Sequence, residues 1–126
     1  MDANTYLAIA KRNLKTAKTL YDAGDYNDAA RYAQQSVEKV LKHLLETLDN
    51  PEMIPYMKLH NVKRLYKIAS EHDLLTYDGS ESRFMAALTD YYYDTNYPGE
   101  NFEMIDAFEA SEAYEFAKVF TAKYFV

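Results

Sequence analysis

Two long stretches of helical periodicity, separated by one glycine-bearing turn, constrain this 126-residue chain more than any other feature. From about Asn4 to Ala23, the residues Tyr6, Ile9, Ala10, Leu14, Ala17, Leu20 and Tyr21 recur at helical spacing and gather on one side. Lys11, Lys15, Lys18 and Asp22 fall toward the other side. Gly24 is placed to end that helix in the left-handed conformation, Asp25 to cap the next, and Asp28 to meet its dipole in the first turn. The second segment spans about Tyr26 to Leu48. Its apolar stripe is Tyr26, Ala30, Ala33, Val37, Val40, Leu41, Leu44 and Leu48, with Arg31, Gln35, Glu38 and Lys42 as a polar stripe alongside. Two long amphipathic helices joined by so short a turn must fold back as an antiparallel hairpin.

The remainder continues the helical pattern. Asn50-Pro51 and Ile54-Pro55 break it, so residues 49–60 read as a connector. Asn61 is a good N-cap for a shorter helix carrying Val62, Leu65, Tyr66 and Ala69. Asp78-Gly79-Ser80 marks a turn, followed by a helix from about Ser80 to Tyr93 and a loop over Asp94 to Gly99. The last helix is expected from about Glu103 to Tyr124. It has an aromatic side (Ile105, Phe108, Phe116, Val119, Phe120) and a small-residue side (Ala107, Ala110, Ala113, Ala117). No stretch alternates as a strand would. The expectation is one all-α domain over residues 1–126, an up-and-down bundle of about five helices with a long N-terminal hairpin.

Composition narrows the function classes. Without cysteine there is no disulfide, thiolate zinc site or thiol nucleophile. The start, Met1-Asp2-Ala3-Asn4, lacks a basic region before an apolar run, and no apolar stretch nears the roughly 18–20 residues of a membrane span. A cytoplasmic protein is expected. Residues 1–67 hold 11 basic and 8 acidic residues, residues 68–126 only 3 basic against 12 acidic, for a total of −6. An acidic total argues against strong nonspecific RNA or DNA binding, which phosphate neutralisation drives. A basic face on the first half can still act locally or meet the acidic face of another copy.

Several segments resemble one family. Gly24-Asp25-Tyr26 with Ala29, then Ala33-Gln34-Gln35-Ser36-Val37-Glu38-Lys39-Val40-Leu41-Lys42, is similar to the second-helix signature of HEPN domains. Leu59-His60-Asn61-Val62 with Leu65 resembles the family's His-Asp-Leu stretch. Tyr93-Asp94-Thr95-Asn96-Tyr97-Pro98-Gly99 resembles its Tyr-x-x-x-Arg-Tyr-Pro loop. The resemblance implies a helical bundle that dimerises, often beside a minimal nucleotidyltransferase in a two-component or toxin–antitoxin system, with nucleotide binding as a secondary capacity. Many members are metal-independent RNases that use an Arg followed, some four to six residues on, by a His. That motif is absent here. Arg64 and His72 have seven residues between them, Arg31 and His43 eleven, and neither Arg12 nor Arg83 has a His shortly downstream. Asn96 also replaces the Arg of the loop, and it cannot supply a charged fork to a phosphate.

The candidate ligand or partner surface comprises Arg31, Gln35, Lys39, Lys42 and His43 on the second helix, His60 at the entrance to the third, Tyr93, Asn96 and Tyr97 near the late loop, and Glu112 on the last helix. Lys39, Lys42 and His43 with Arg31 and Gln35 form either an anion-facing stripe or a solvated or dimer-facing surface. His60 is of the residue type that suits either acid–base chemistry or a loop carbonyl. The projection puts Glu109 and Glu112 on the aromatic side, where a carboxylate needs a cation or a pocket. Tyr91, Tyr92, Tyr93 and Tyr97 gather where bases could stack or a core edge could close. No metal site and no cofactor is expected, since the three histidines are scattered. The leading expectation is a non-catalytic HEPN protein that dimerises and associates with a nucleotidyltransferase. The alternatives are a HEPN RNase with a displaced site, using His60 with Arg64 or with a second subunit's basic residue, and a tetratricopeptide-like scaffold. The scaffold lacks a second copy at the period of about 34 residues that stacking requires.

Overall fold

The computed structural model describes residues 5–96 and 104–125, with the backbone alone for 92–96. Five α-helices and one 3-10 helix make up the bundle: α1 (Tyr6–Asp22), α2 (Tyr26–Glu46), the 3-10 helix Pro51–Lys58, α3 (Val62–Glu71), α4 (Gly79–Asn96) and α5 (Ala107–Ala122). No strand occurs among the described residues, and no helix of theirs is long and apolar enough to cross a membrane.

The hairpin forms through hydrogen bonds that only a left-handed residue permits. Gly24 sits at φ +82°. Its N–H donates to the Tyr21 carbonyl at 3.0 Å, and the Asp25 N–H donates to the Leu20 carbonyl at 2.9 Å. Together these satisfy two of the last carbonyls of α1, which a straight chain end would leave without partners. Asp25 occupies the N-cap of α2 but makes no side-chain capping bond, contrary to the sequence expectation. Thr5 caps α1 by accepting from Ala8, and Asn61 caps α3 by accepting from Arg64 at 3.0 Å. The expected connector is ordered instead. Asn50 accepts from the Glu52 N–H, and with Pro51 in the first turn it starts the 3-10 helix.

The chain packs around α2. That helix contacts α1, α3, α4, α5 and the 3-10 helix, while α1 also touches α5 and closes the ring. Small residues make this possible. Ala10 and Ala17 of α1, Ala29, Ala30 and Ala33 of α2, and Ala110, Ala113 and Ala117 of α5 are all fully buried. With side chains this short, backbones approach closely without leaving voids. Larger groups fill the far side. Phe84 of α4 stacks on Phe116 of α5 with centroids 4.5 Å apart, and Phe120 meets the fully buried Tyr66 of α3 edge-on. A closed bundle with one central helix excludes the stacked successive hairpins of a tetratricopeptide-like scaffold.

Three expectations are corrected. α4 continues through Asp94 to Asn96, where a loop was expected to begin, and residues 97–99 lie outside the described residues. α5 begins only at Ala107, because Asp106 and Glu109 close a reciprocal capping box. Phe108 and Val119 are 71% and 65% exposed instead of sharing a buried aromatic side. The alanine side of α5 takes the contact with α2, and that rotation turns both residues outward.

Adding a Cβ at Gly24 would meet no atom within 4 Å, so replacement there is a test of backbone conformation alone. Gly24→Ala is expected to cost about 1–2 kcal/mol, the penalty of left-handed backbone for an L-residue, as read from urea unfolding midpoints. An unchanged midpoint would show that the turn does not need this conformation.

Candidate functional site

The polar centre of the molecule is a carboxylate that no solvent reaches. Glu38 is 0% exposed and follows directly on the buried α2 strip of Ala30, Ala33 and Val37. Both of its oxygens are occupied. Oε2 accepts from Lys39 Nζ at 2.7 Å and from Lys42 Nζ at 3.1 Å. Oε1 faces His60 Nδ1 at 3.1 Å and the amide of Gln34 at 3.3 Å. The same Gln34 amide donates to the His60 carbonyl at 2.9 Å. Gln34 thus ties α2 to the entrance of α3, and His60 arrives from the end of the connector already held by backbone and ring.

The spacing explains why these groups converge. Gln34, Glu38 and Lys42 follow one another at intervals of four, so they lie along one line of α2. That line borders the apolar stripe. All three residues are buried, and a charge placed there must find partners within the protein. Burial by itself pushes the Glu38 carboxyl up. The charges and hydrogen bonds of Lys39 and Lys42 more than offset this and hold it below the usual glutamate value. Lys42, 3% exposed, is pulled down by burial, partly restored by Glu38 and lowered again by Lys39. Because an ionised carboxylate only accepts, His60 Nδ1 carries the proton in this contact.

One carboxylate faces two ammonium groups and an imidazole, so the cluster carries excess positive charge. Its open side is where Lys39 and His60 reach solvent, with side chains 21% and 45% exposed; the Lys42 side chain is 4% exposed. The arrangement can do two things chemically. It can lock α2 to α3, and it can hold the His60 ring in a fixed tautomer at the surface.

The structure therefore brings together three of the residues expected from the sequence: Lys39, Lys42 and His60. Arg31 and Gln35 lie elsewhere on α2. Arg31 pairs with Asp28 at 2.6 Å and stands over the Tyr32 ring, while Gln35 and His43 are half-buried along the edge. Glu112 is exposed on α5, not enclosed by aromatic rings, and Glu109 is spent on the capping box. The side chains of Tyr93 and Asn96, and all of Tyr97, lie outside the described residues. Sequence reasoning missed Glu38 as the hub and Gln34 as its clamp. The signal was present: Gln34 stands between Ala33 and Val37, and Glu38 between Val37 and Leu41, so both border the helix's apolar stripe. Among the described residues no group of three His, Asp or Glu side chains is arranged to hold a metal ion.

Removing the carboxylate would leave Lys42 buried and unpaired. Glu38→Ala is expected to cost about 3–5 kcal/mol. Lys42→Met should cost much less, because Lys39 and His60 still serve the carboxylate. Equal losses in urea unfolding would contradict this hub. Acid supplies the pH test. The unfolded chain holds the Glu38 proton more tightly than the folded one, so stability present at neutral pH falls as pH drops from the ordinary glutamate value through the lower folded one. Glu38→Gln should flatten that part of the stability profile. A profile unchanged by the substitution would show that Glu38 does not titrate as described.

A model of the HEPN domain family matches residues 3–124 of the chain. No curated protein and no solved structure matches it.

Proposed function

Because the chain belongs to the HEPN domain family, we propose that it is a non-catalytic interaction module that dimerises and associates with a nucleotidyltransferase in a toxin–antitoxin-like pair. Nucleotide binding is a secondary capacity. The observation that carries this reading is the closure of the polar centre. The chain has no Arg–His pair at RNase spacing, and its buried carboxylate gives both oxygens to residues of the fold. A carboxylate engaged in this way ties α2 to the entrance of α3. Meanwhile Met104, Phe108 and Val119 are 76%, 71% and 65% exposed at and along α5, the kind of apolar surface that a protein contact covers. Light scattering on the purified chain is expected to give twice 14.6 kDa, and co-expression with a minimal nucleotidyltransferase a stable complex. A protomer-sized particle that forms no complex would overturn the proposal.

One observation favours a second reading, an RNase with a displaced site. His60 is partly exposed and its Nδ1 is held by a carboxylate, which is how an acid–base imidazole is oriented. In that case the purified protein cleaves RNA in the presence of chelator, and His60→Ala lowers the rate roughly 100- to 10,000-fold. Absence of cleavage, or cleavage indifferent to His60→Ala, removes this reading.

A further inference from the structure

α3 is charged against its own dipole. Lys63 and Arg64 stand in its first turn, where the helix end is already positive, and Glu71 closes its last turn, where the end is negative. Lys63 and Lys67 are four apart and Arg64 and Lys67 three apart, so the exposed cations also repel one another along one face. The segment between Glu52 and Glu71 contains four Lys or Arg residues and no Asp or Glu, in a chain whose total is −6. Among the described residues no carboxylate comes within ion-pair distance of Lys63, Arg64 or Lys67. The basic first turn and the Lys63–Lys67 spacing run against the local rules of helix charge, with only Lys67 and Glu71, four apart, in keeping with them; such departures accumulate where a surface serves something outside the fold.

The surface also has shape. Lys63, Arg64 and Lys67 line an open groove of about 640 Å³, with Ser70 and the ring of Tyr77 on its other walls. Tyr77 is 59% exposed and is backed by Tyr66 at 5.9 Å between centroids. Around Arg64 the groove meets a second depression, where that guanidinium stands over the Tyr56 ring at 6.0 Å. Glu71 also lines the groove and Glu52 the second depression, each the one carboxylate there among three cations and one cation respectively.

We propose that this α3 groove docks a short acidic segment of a partner protein, its carboxylates on Lys63, Arg64 and Lys67 and an apolar side chain against Tyr77. The proposal deepens the interaction-module reading and rests on it. Charge complementarity selects an anion. Two features favour a peptide over a polynucleotide. The basic run is short and ends in a glutamate on both sides, so phosphates continuing past it meet negative charge. The chain as a whole is acidic, which opposes the long-range attraction on which nucleic-acid binding depends.

The test uses the full chain and a short fluorescein-labelled peptide alternating Glu with Ala and Leu, followed by fluorescence anisotropy at low salt. Saturable binding is expected, weakening as salt is raised. It should fall at least about tenfold in Lys63→Glu with Lys67→Glu, and should hold in Lys118→Glu, which reverses an exposed charge on α5. Glutamates at 63 and 67 would stand at four-residue spacing with Glu71 and repel, so Lys63→Gln with Lys67→Gln, which removes the cations without adding that repulsion, is measured alongside and should melt no lower than the parent while losing the binding. No saturable binding, binding indifferent to both double variants, or tighter binding of a labelled oligouridine would each overturn the proposal. A dimer that still assembles with its nucleotidyltransferase while the peptide fails to bind would sink the groove alone. Loss of assembly in the parent protein would sink the underlying reading.

Discussion

A carboxylate sealed inside a helical bundle is tolerable only if the fold supplies its counter-charges, and this one condition organises the structure around α2. Glu38 holds Lys39 and Lys42 from its own helix and His60 from across the bundle. The first two contacts are local and form as soon as α2 winds. The third is not. It requires the connector to deliver His60 to the entrance of α3, and the Gln34 amide fixes it there through the His60 carbonyl. A buried ionic group of this kind adds little net stability over an apolar replacement, but it penalises every arrangement that leaves the charge unmatched. Its effect is therefore on which packing is allowed, and it selects the one with α3 seated against α2.

Alanine burial and aromatic stacking act within that frame. Where α2 meets α1 and α5, fully buried alanines let the helices approach. Where α5 meets α4, the stacked Phe84 and Phe116 fill a wider gap. Tyr66 joins the two systems. Its ring is buried, its hydroxyl donates to Glu81 at 2.9 Å and accepts from the Asp78 N–H, and burial pushes it up to about 12. Glu81 in turn takes Lys123 from the end of α5 at 2.6 Å. The contacts of Asp78, Glu81 and Lys123 thus sit at helix ends, while the Glu38 cluster lies along α2.

Much of this was legible from residue order. The Gly24 turn, the apolar stripes of the first two helices and the Asn61 cap follow from local rules, and local rules govern them in the structure. The parts that were not legible depend on rotation and depth. α5 is apolar around most of its circumference, so periodicity could not decide whether the alanines or Phe108 and Val119 face inward. Glu38 and Lys42 read as part of a polar stripe whose depth stays open, because a helical projection ranks residues by direction and knows nothing of how many neighbours cover that direction. α2 is covered on more sides than an ordinary hairpin helix, and its polar edge became interior. Of the candidate site, Lys39, Lys42 and His60 were in view, whereas the glutamate that joins them stood only as one member of a polar stripe.

The account stands on Glu38 remaining ionised at the centre of the bundle, neutralised by its neighbours and closed to substrate. Following the Glu38 side-chain carboxyl carbon by NMR while the pH is lowered tests that directly. The midpoint is expected below the ordinary glutamate value, with the folded spectrum retained at neutral pH. A midpoint at or above that value would mean that burial outweighs the lysines, and Glu38 would not be the ionised hub on which the packing depends.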